Sequence, residues 1–481
     1  MINIIIQLSK YLMLLLIILY SFQCFTVFKR KSEHRQKKIL RKQLTLILLL
    51  LFVGFLDLFL YTNDLEIIIF LAAIYVFFIL LQLLYRLIYP KASLLVVNNM
   101  CMLLAIGFII LARLDMDEAG KQFIIAAAAS VIAFIIPVII RKMKFLANLK
   151  WFYAVVGIIC LGIVLVLAQT SGGAKLSISI GGITIQFSEI VKITFVFFMA
   201  SSLQEDTSFP NVVKTTIVAA LHVGILVLST DLGTGLVFFM TYLVLIYVAA
   251  RKPVYALAAL GGGSVAAVGA YYLFNHVRNR VLWWKDPFSD YDHAYQIVQG
   301  MFAIGAGGWF GTGLCLGSPE SIPLGTNDFV FTSICEEMGG LFAICMILIC
   351  MSLFLMIVNI SMQVKNPFYK LVALGLGTEY AFQVFLNIGG ASKFIPLTGI
   401  TLPLVSYGGS SVMSTIIMIA IVQGLYILRE DEGDQLEKER QEQERQRAEL
   451  ERERAEFARQ EQAIIDATAE ATEFYQKPKR W

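Results

Sequence analysis

The chain has 481 residues, 58% of them hydrophobic and 15% charged, with a formal net charge of +4. A mean hydropathy of +0.73 is too high for an ordinary soluble domain, and so small a charge, carried largely by loops, gives no ground for a nucleic-acid partner. The seven cysteines show no CxxC or other ligand spacing, and their odd number and scatter argue against a disulfide framework.

About thirteen apolar blocks approach the ~20 residues that a spanning helix needs. They cover 8–27, 43–61, 65–88, 98–113, 122–140, 150–168, 186–203, 211–229, 232–250, 254–274, 330–359, 368–389 and 409–428. The first block lacks a small-residue cleavage site and does not read as a removable signal peptide. Loops rich in Lys and Arg stay cytoplasmic. "KRKSEHRQKKILRK", "RLIYPKAS", "RKMKFLANLK", "SLQEDTSFPNVVK", "ARKPVYA" and "SMQVKNPFYK" fall on one side, and acidic, glycine-rich or mixed loops fall on the other. The N-terminus is therefore expected outside the membrane and the C-terminus in the cytoplasm. Three parts follow: helices in 1–97 with few internal polar residues, ten helices in 98–429, and a tail in 430–481. The tail mixes Glu, Gln, Arg and Ala with opposite charges three and four apart, the pattern of a solvated single helix. For the first three helices the plain expectation is extra packing surface.

Ionisable residues at membrane depth mark pairing or function. Glu189 and Lys192, three apart, share a helix face and can pair, either as a structural bridge or lining a cavity. Asp231 and Asp328 each precede a predicted helix and suit N-caps, while Glu336 and Glu337 lie deeper, where at least one must face protein or water. The stretch 390–408, "GASKFIPLTGITLPLVSYG" with its neighbours, reads as loop or re-entrant backbone. The Gly408–Gly409 pair permits close backbone approach, with a phosphate nest as one use. The longest outer loop, 275–329, holds "RNRVLWWKDPFSDYDHAYQIVQG". Its Arg278, Arg280, Lys285 and Asp286 could bind and process an anionic, lipid-bound substrate. Trp283 and Trp284 suit an interfacial anchor.

Taken together, "GGAKLSISIGGITIQFSEIVK", "DLGTGLVF", "DPFSDYDHAYQIVQGMFAIGAGGWFGTGLCLGSP", "NDFVFTSICEEMGG" and "NIGGASKFIPLTGITLPLVSYGGSS" resemble, in order and topology, the SEDS family typified by FtsW, RodA and SpoVE. The resemblance covers 98–429. It implies an all-α polytopic membrane protein, a ten-helix core preceded here by three extra helices. It also implies an inverting peptidoglycan glycosyltransferase that polymerises lipid II at the outer face of the bacterial plasma membrane. On that resemblance Asp286 is the expected catalytic residue, as general base for the attacking hydroxyl or in placing that hydroxyl or a metal, and chemistry and proximity make Arg278, Arg280 and Lys285 the candidates facing the pyrophosphate. The Glu189–Lys192 pair matches the family's Ser-Glu-x-x-Lys. Gln296, Asp328, Ser406, Tyr407, Gly408, Gly409 and Ser410 complete the substrate-binding candidates. A class B penicillin-binding transpeptidase and the division or elongation machinery are the implied partners. The resemblance fixes no cofactor; a divalent cation, Mg or Mn, near Asp286 and the pyrophosphate is the one candidate. Asp290 and Asp292 have a DxD spacing, but a nucleotide-sugar site does not suit this fold. The chain departs from the family pattern at Leu176, Ser177, Phe187, Gly300 and Asn327. A lipid II flippase or carrier, and a non-catalytic scaffold, are the competing readings. The carboxylate at Asp286 favours the polymerase, since neither alternative needs it.

Overall fold

The structure is a computed structural model and describes residues 2–29, 32–168, 177–180 and 183–476. Leu176 lies outside the described residues. Among them, twelve helical segments are long and apolar enough to cross a membrane, and α8, described below, is the remaining one of the thirteen sequence blocks. The protein is a polytopic helical membrane protein, as the apolar runs require.

Three helices come first: α1 (Ile2–Lys29), α2 (Glu33–Thr62) and α3 (Leu65–Ile88). Then α4 (Leu94–Leu114) runs buried through the centre and packs against α2 and against the helices at 116–133 and 340–363. The block predicted at 122–140 is two helices, α5 (Met116–Ala133) and α6 (Ile136–Lys142). The break falls just before Pro137, whose ring and missing N–H forbid a continuous hydrogen-bond ladder there. A two-stranded antiparallel hairpin, β1 (Ile178–Ile180) and β2 (Ile183–Ile185), separates α7 (Lys150–Leu167) from α8 (Phe187–Leu203). Next come α9 (Phe209–Leu228), α10 (Leu232–Ala250) and α11 (Pro253–Leu273). No residue of α11 is buried; it packs on α10 and lies at the margin of the bundle.

The segment read as the long loop 275–329 contains two helices, α12 (Asn275–Lys285) and α13 (Tyr291–Gly307). The block at 330–359 is also split, into α14 (Val330–Met338) and α15 (Gly340–Gln363). Gly339 makes that break at φ +89, a left-handed conformation that glycine adopts without Cβ strain. The chain at 309–311 crosses there so closely that a Cβ on Gly339 would stand 2.4 Å from the Gly311 nitrogen. Finally, α16 (Pro367–Ala391) leads through the irregular segment 392–408 into α17 (Gly409–Gln476). Residues Met1–Ile427 form one compact unit that includes the three extra helices with the core, and the chain from Leu428 onward forms a second.

Gly339→Ala is expected to lower stability in detergent by at least about 2 kcal/mol, through strain at positive φ and the backbone clash. Gly269→Ala, with nothing within 4 Å, is expected to stay within about 1 kcal/mol of the parent. Equal thermal melting of the two variants would contradict the crossing.

Candidate functional site

Helix α12 carries the cationic residues Arg278, Arg280 and Lys285. Arg278 and Lys285 are exposed; Arg280 is half-buried. The Arg280 Nη1 donates to the carbonyl oxygens of Leu397 at 3.3 Å and Thr398 at 3.0 Å. Burial lowers its pKa, and the nearby charges of Asp328 and Asp231 oppose that shift. A Cβ built on Gly399, at φ +74, would lie 3.7 Å from both Arg280 Nη2 and Asp328 Oδ2. Arg280, Asp328 and the 397–399 backbone therefore meet at one point. Asp328 is pushed up to about 6 by burial, and Arg280 pulls it back.

Asp286 sits at the C-cap of α12, exposed, its amide bonded to the Leu282 carbonyl. Its Oδ1 accepts from the Phe288 amide at 3.2 Å, a local turn that leaves Oδ2 directed away from that bond. Proline at 287 ends α12 here and sets the carboxylate at an open corner. Gln296 is half-buried on α13. The tryptophans do more than anchor. Trp283 Nε1 donates to Asp290 at 3.0 Å and its ring stacks on His293, while Trp284 Nε1 donates to the Lys393 carbonyl at 3.1 Å. Asp290 also accepts from His293 and raises that imidazole above its ordinary pKa. Asp290 is thus engaged in holding α12 to α13.

The remaining candidates fall around segment 392–408 and below it. Ser406 is buried; its hydroxyl donates to the Asn327 carbonyl at 2.6 Å and accepts from the Leu402 amide at 2.8 Å. The Tyr407 amide donates to Thr326 O, and the Gly408 amide to Gln122 Oε1. Ser410 Oγ accepts from the Gln186 amide. Gly409 meets Ile125 closely, a Cβ there lying 2.6 Å from Cδ1. These groups hold the segment in place rather than presenting a row of free amides. Asn327 shares in this through its carbonyl. Gly300 abuts Phe329, where a Cβ would come within 2.9 Å of the ring, which accounts for the smallest side chain at that position.

Glu189 and Lys192 pair at 2.7 Å, both buried. Lys192 Nζ also donates to Gln383 Oε1 at 2.6 Å, and Ser414 Oγ donates to Glu189 at 2.8 Å. Gln383 in turn reaches Ser411 and the Thr401 carbonyl. The pair therefore joins α8, α16 and α17 to segment 392–408, beside a cavity of about 10 Å³, the room of one water. Glu379 and Tyr380 also line that cavity. Sequence reasoning did not single out Glu379, Gln383 or Arg113. Arg113, at the end of α4, bridges Glu337 at 3.0 Å and Glu320 at 3.3 Å. Its signal was available, as a lone cation closing an apolar block beside an acidic loop. Asp231 caps α10, accepting from the Thr234 amide, and also accepts from Ser188 Oγ.

The fold and this site define a polytopic membrane protein with a cation-rich, carboxylate-bearing site at the end of the bundle that holds 275–329 and 392–408. The profile of the FtsW/RodA/SpoVE cell cycle proteins matches residues 91–430. The peptidoglycan glycosyltransferase RodA of Mycobacterium tuberculosis (strain ATCC 25618 / H37Rv) is 32% identical over 373 residues, covering 69% of this chain and 77% of the relative. The probable peptidoglycan glycosyltransferase FtsW of Aliivibrio salmonicida (strain LFI1238) is 30% identical over 281 residues, covering 56% of this chain and 70% of that protein. A solved chain from a peptidoglycan synthase complex that coordinates polymerization and crosslinking shares the fold, with a TM-score of 0.63 at 24% identity over 70% of this chain and 98% of that one. The chain belongs to the FtsW/RodA/SpoVE family.

Lys192→Met strands Glu189 inside the bundle and is expected to cost about 3–5 kcal/mol of unfolding free energy. Adding Glu189→Gln should return part of that loss, because the amide needs no counter-charge. Denaturation in detergent followed by tryptophan fluorescence reads both; a double variant less stable than Lys192→Met alone would contradict the pairing.

Proposed function

We propose that this peptidoglycan glycosyltransferase polymerises lipid II by direct displacement, with Asp286 as the general base at the outer face of the bacterial plasma membrane. The acceptor sugar's 4-hydroxyl gives its proton to Asp286 as its oxygen attacks C1 of the donor. The C1–oxygen bond to undecaprenyl pyrophosphate breaks, and inversion at C1 follows from attack opposite the leaving group. An exposed carboxylate at an open corner has the access that a base needs to reach its proton. The departing pyrophosphate takes up negative charge, which fixed cations offset.

One observation carries the reading: Arg280 is held by two backbone carbonyls beside Asp328, on the same short helix that ends at Asp286. Its Nη1 is committed to the protein, so Nη2 and Nε remain for phosphate oxygens. A guanidinium fork suits that geometry. Arg278 and Lys285 add charge at the exposed rim. Glu189, Lys192 and the 406–410 residues act from behind, by fixing segment 392–408 on which Arg280 rests. Among the described residues no group of three His, Cys, Asp or Glu could hold a metal ion. A magnesium or manganese ion beside Asp286 would take most of its ligands from pyrophosphate and water. The charge bias of the loops supports a site outside the membrane and a tail in the cytoplasm. The likeness to a chain of a polymerizing and crosslinking complex supports a class B transpeptidase as partner, within the division or elongation machinery.

Asp286→Asn is expected to abolish glycan polymerisation by purified protein, by at least about 100-fold, while lipid II binding persists. Polymerisation at the parental rate would remove the assignment, and lost binding would make Asp286 a ligand instead of a base. The pH dependence has a defined sign. A carboxyl at about 6 is charged above that pH and neutral below it, so Arg280 loses its counter-charge as pH falls through 6. The turnover rate should therefore show an acid limb near pH 6 that Asp328→Asn lacks, measured as kcat against pH.

A further inference from the structure

The three helices that precede the matched region 91–430 meet the strip between α13 and α14 through α1. Near its N-terminal end, α1 turns a polar face toward the chain between α13 and α14. Lys10 Nζ donates to the Gly311 carbonyl at 2.9 Å, and Gln7 Nε2 donates to the Thr312 carbonyl at 2.6 Å. The Tyr11 and Phe310 rings meet at 5.9 Å. Ser9 donates to Asp57 of α2, which is fully buried, so α1 is itself tied to its neighbour at this level. An ammonium and a carboxylate within apolar helices demand partners, and the partners here are backbone and a hydroxyl.

The strip that α1 grips is fastened on its other side to α14. The Thr312 and Gly313 amides donate to the Glu336 and Glu337 carbonyls, each at 2.9 Å. The Cys315 and Ser318 amides donate to the Glu337 and Glu336 carboxylates at 3.1 and 2.8 Å. Gly311, at φ +76, lies so near that a Cβ would stand 2.3 Å from the Glu337 carbonyl oxygen. Helix α14 starts two residues after Asp328, the neighbour of Arg280. The path runs from α1 through 311–318 and α14 to the site.

We propose that Lys10 and Gln7 are positioning residues: the added N-terminal helices strap strip 311–318 onto α14 and so hold Asp328 and Arg280 in register. The strap supplies side-chain donors to the Gly311 and Thr312 carbonyls. Its kinetic consequence rests on the function proposed above; its structural consequence does not.

Both are measured on the full-length protein in detergent, comparing the double variant Gln7→Leu/Lys10→Met with Lys10→Arg. Hydrogen exchange of peptides covering 308–318 should accelerate at least about tenfold in the double variant, from loss of one charged and one neutral hydrogen bond. Exchange within 14–27 of α1 should not change, which shows that the helix remains folded. Polymerisation should lose kcat several-fold with KM for lipid II unchanged, and Lys10→Arg, which keeps a cationic donor, should retain both protection and rate. Unchanged exchange in 308–318 overturns the strap. Faster exchange with parental kcat overturns the positioning role. If Asp286→Asn remains active, the functional reading fails, and the exchange data still decide the strap by themselves.

Discussion

A backbone group inside a bilayer has no water to lean on, so irregular chain at that depth survives only where side chains complete its hydrogen bonds. Segment 392–408 is irregular chain, buried at 400 and from 402 to 406, and the site depends on its being held. Asn387 of α16 donates to the Ile400 carbonyl at 2.6 Å and to the Asp328 carbonyl at 3.0 Å, joining the two halves of the Arg280 neighbourhood with one amide. Gln122 of α5 donates to the Ser406 carbonyl at 2.9 Å and accepts from Gly408. Gln383 reaches Thr401 from the same helix as Asn387. Three buried amides thus do for this segment what a ladder does for a helix. The Leu397 and Thr398 carbonyls that grip Arg280 lie directly before the stretch that Asn387 and Gln383 hold at Ile400 and Thr401.

The Glu189–Lys192 pair belongs to the same economy of satisfaction. A buried ion pair alone gains little over apolar packing, because both charges must be stripped of water. Here each charge has a second partner: Gln383 for Lys192 and Ser414 for Glu189. The pair therefore serves as a junction between α8, α16 and α17. Glu379, buried beside it with Oε1 unpartnered by any side chain, adds a further polar group to the small cavity.

What the sequence disclosed and what it withheld divide along physical lines. The spans were legible because each is a long apolar run, and the Glu189–Lys192 contact because three residues on a helix bring two side chains to one face. Helices α12 and α13 were not, since one is short and cationic and the other rich in glycine, and neither shows the apolar length of a span. The break at Gly339 was hidden too. The Gly339–Gly340 pair inside an apolar block gives no hint that a distant strip, 309–311, presses against it. The second partners were invisible for a related reason: Gln383 and Ser414 lie 191 and 225 residues from the charges they satisfy. Asp286, the proposed base, was nominated through resemblance of motifs. Its exposure and its Asx-type turn before the proline needed coordinates.

The three cations of α12 are not equivalent, and the difference follows from preorganisation. Arg278 and Lys285 are exposed, so each meets an anion through water and salt that screen the interaction, and each must surrender side-chain freedom when it does. Arg280 has already surrendered that freedom to the Leu397 and Thr398 carbonyls. Its charge lies where burial makes it costly, with Asp328 beside it as counter-charge. On the proposed function, a pyrophosphate that approaches this point meets a guanidinium that Asp328 and the two carbonyls already hold in place. It gains most when its own charge is greatest, as the bond to C1 breaks. Interactions stronger in the transition state than in the bound substrate are the ones that raise the rate. On the function proposed above, the half-buried arginine, held ready and partly neutralised in the ground state, would be the cation on which leaving-group departure depends, while the exposed pair would gather the lipid-linked anion to the rim.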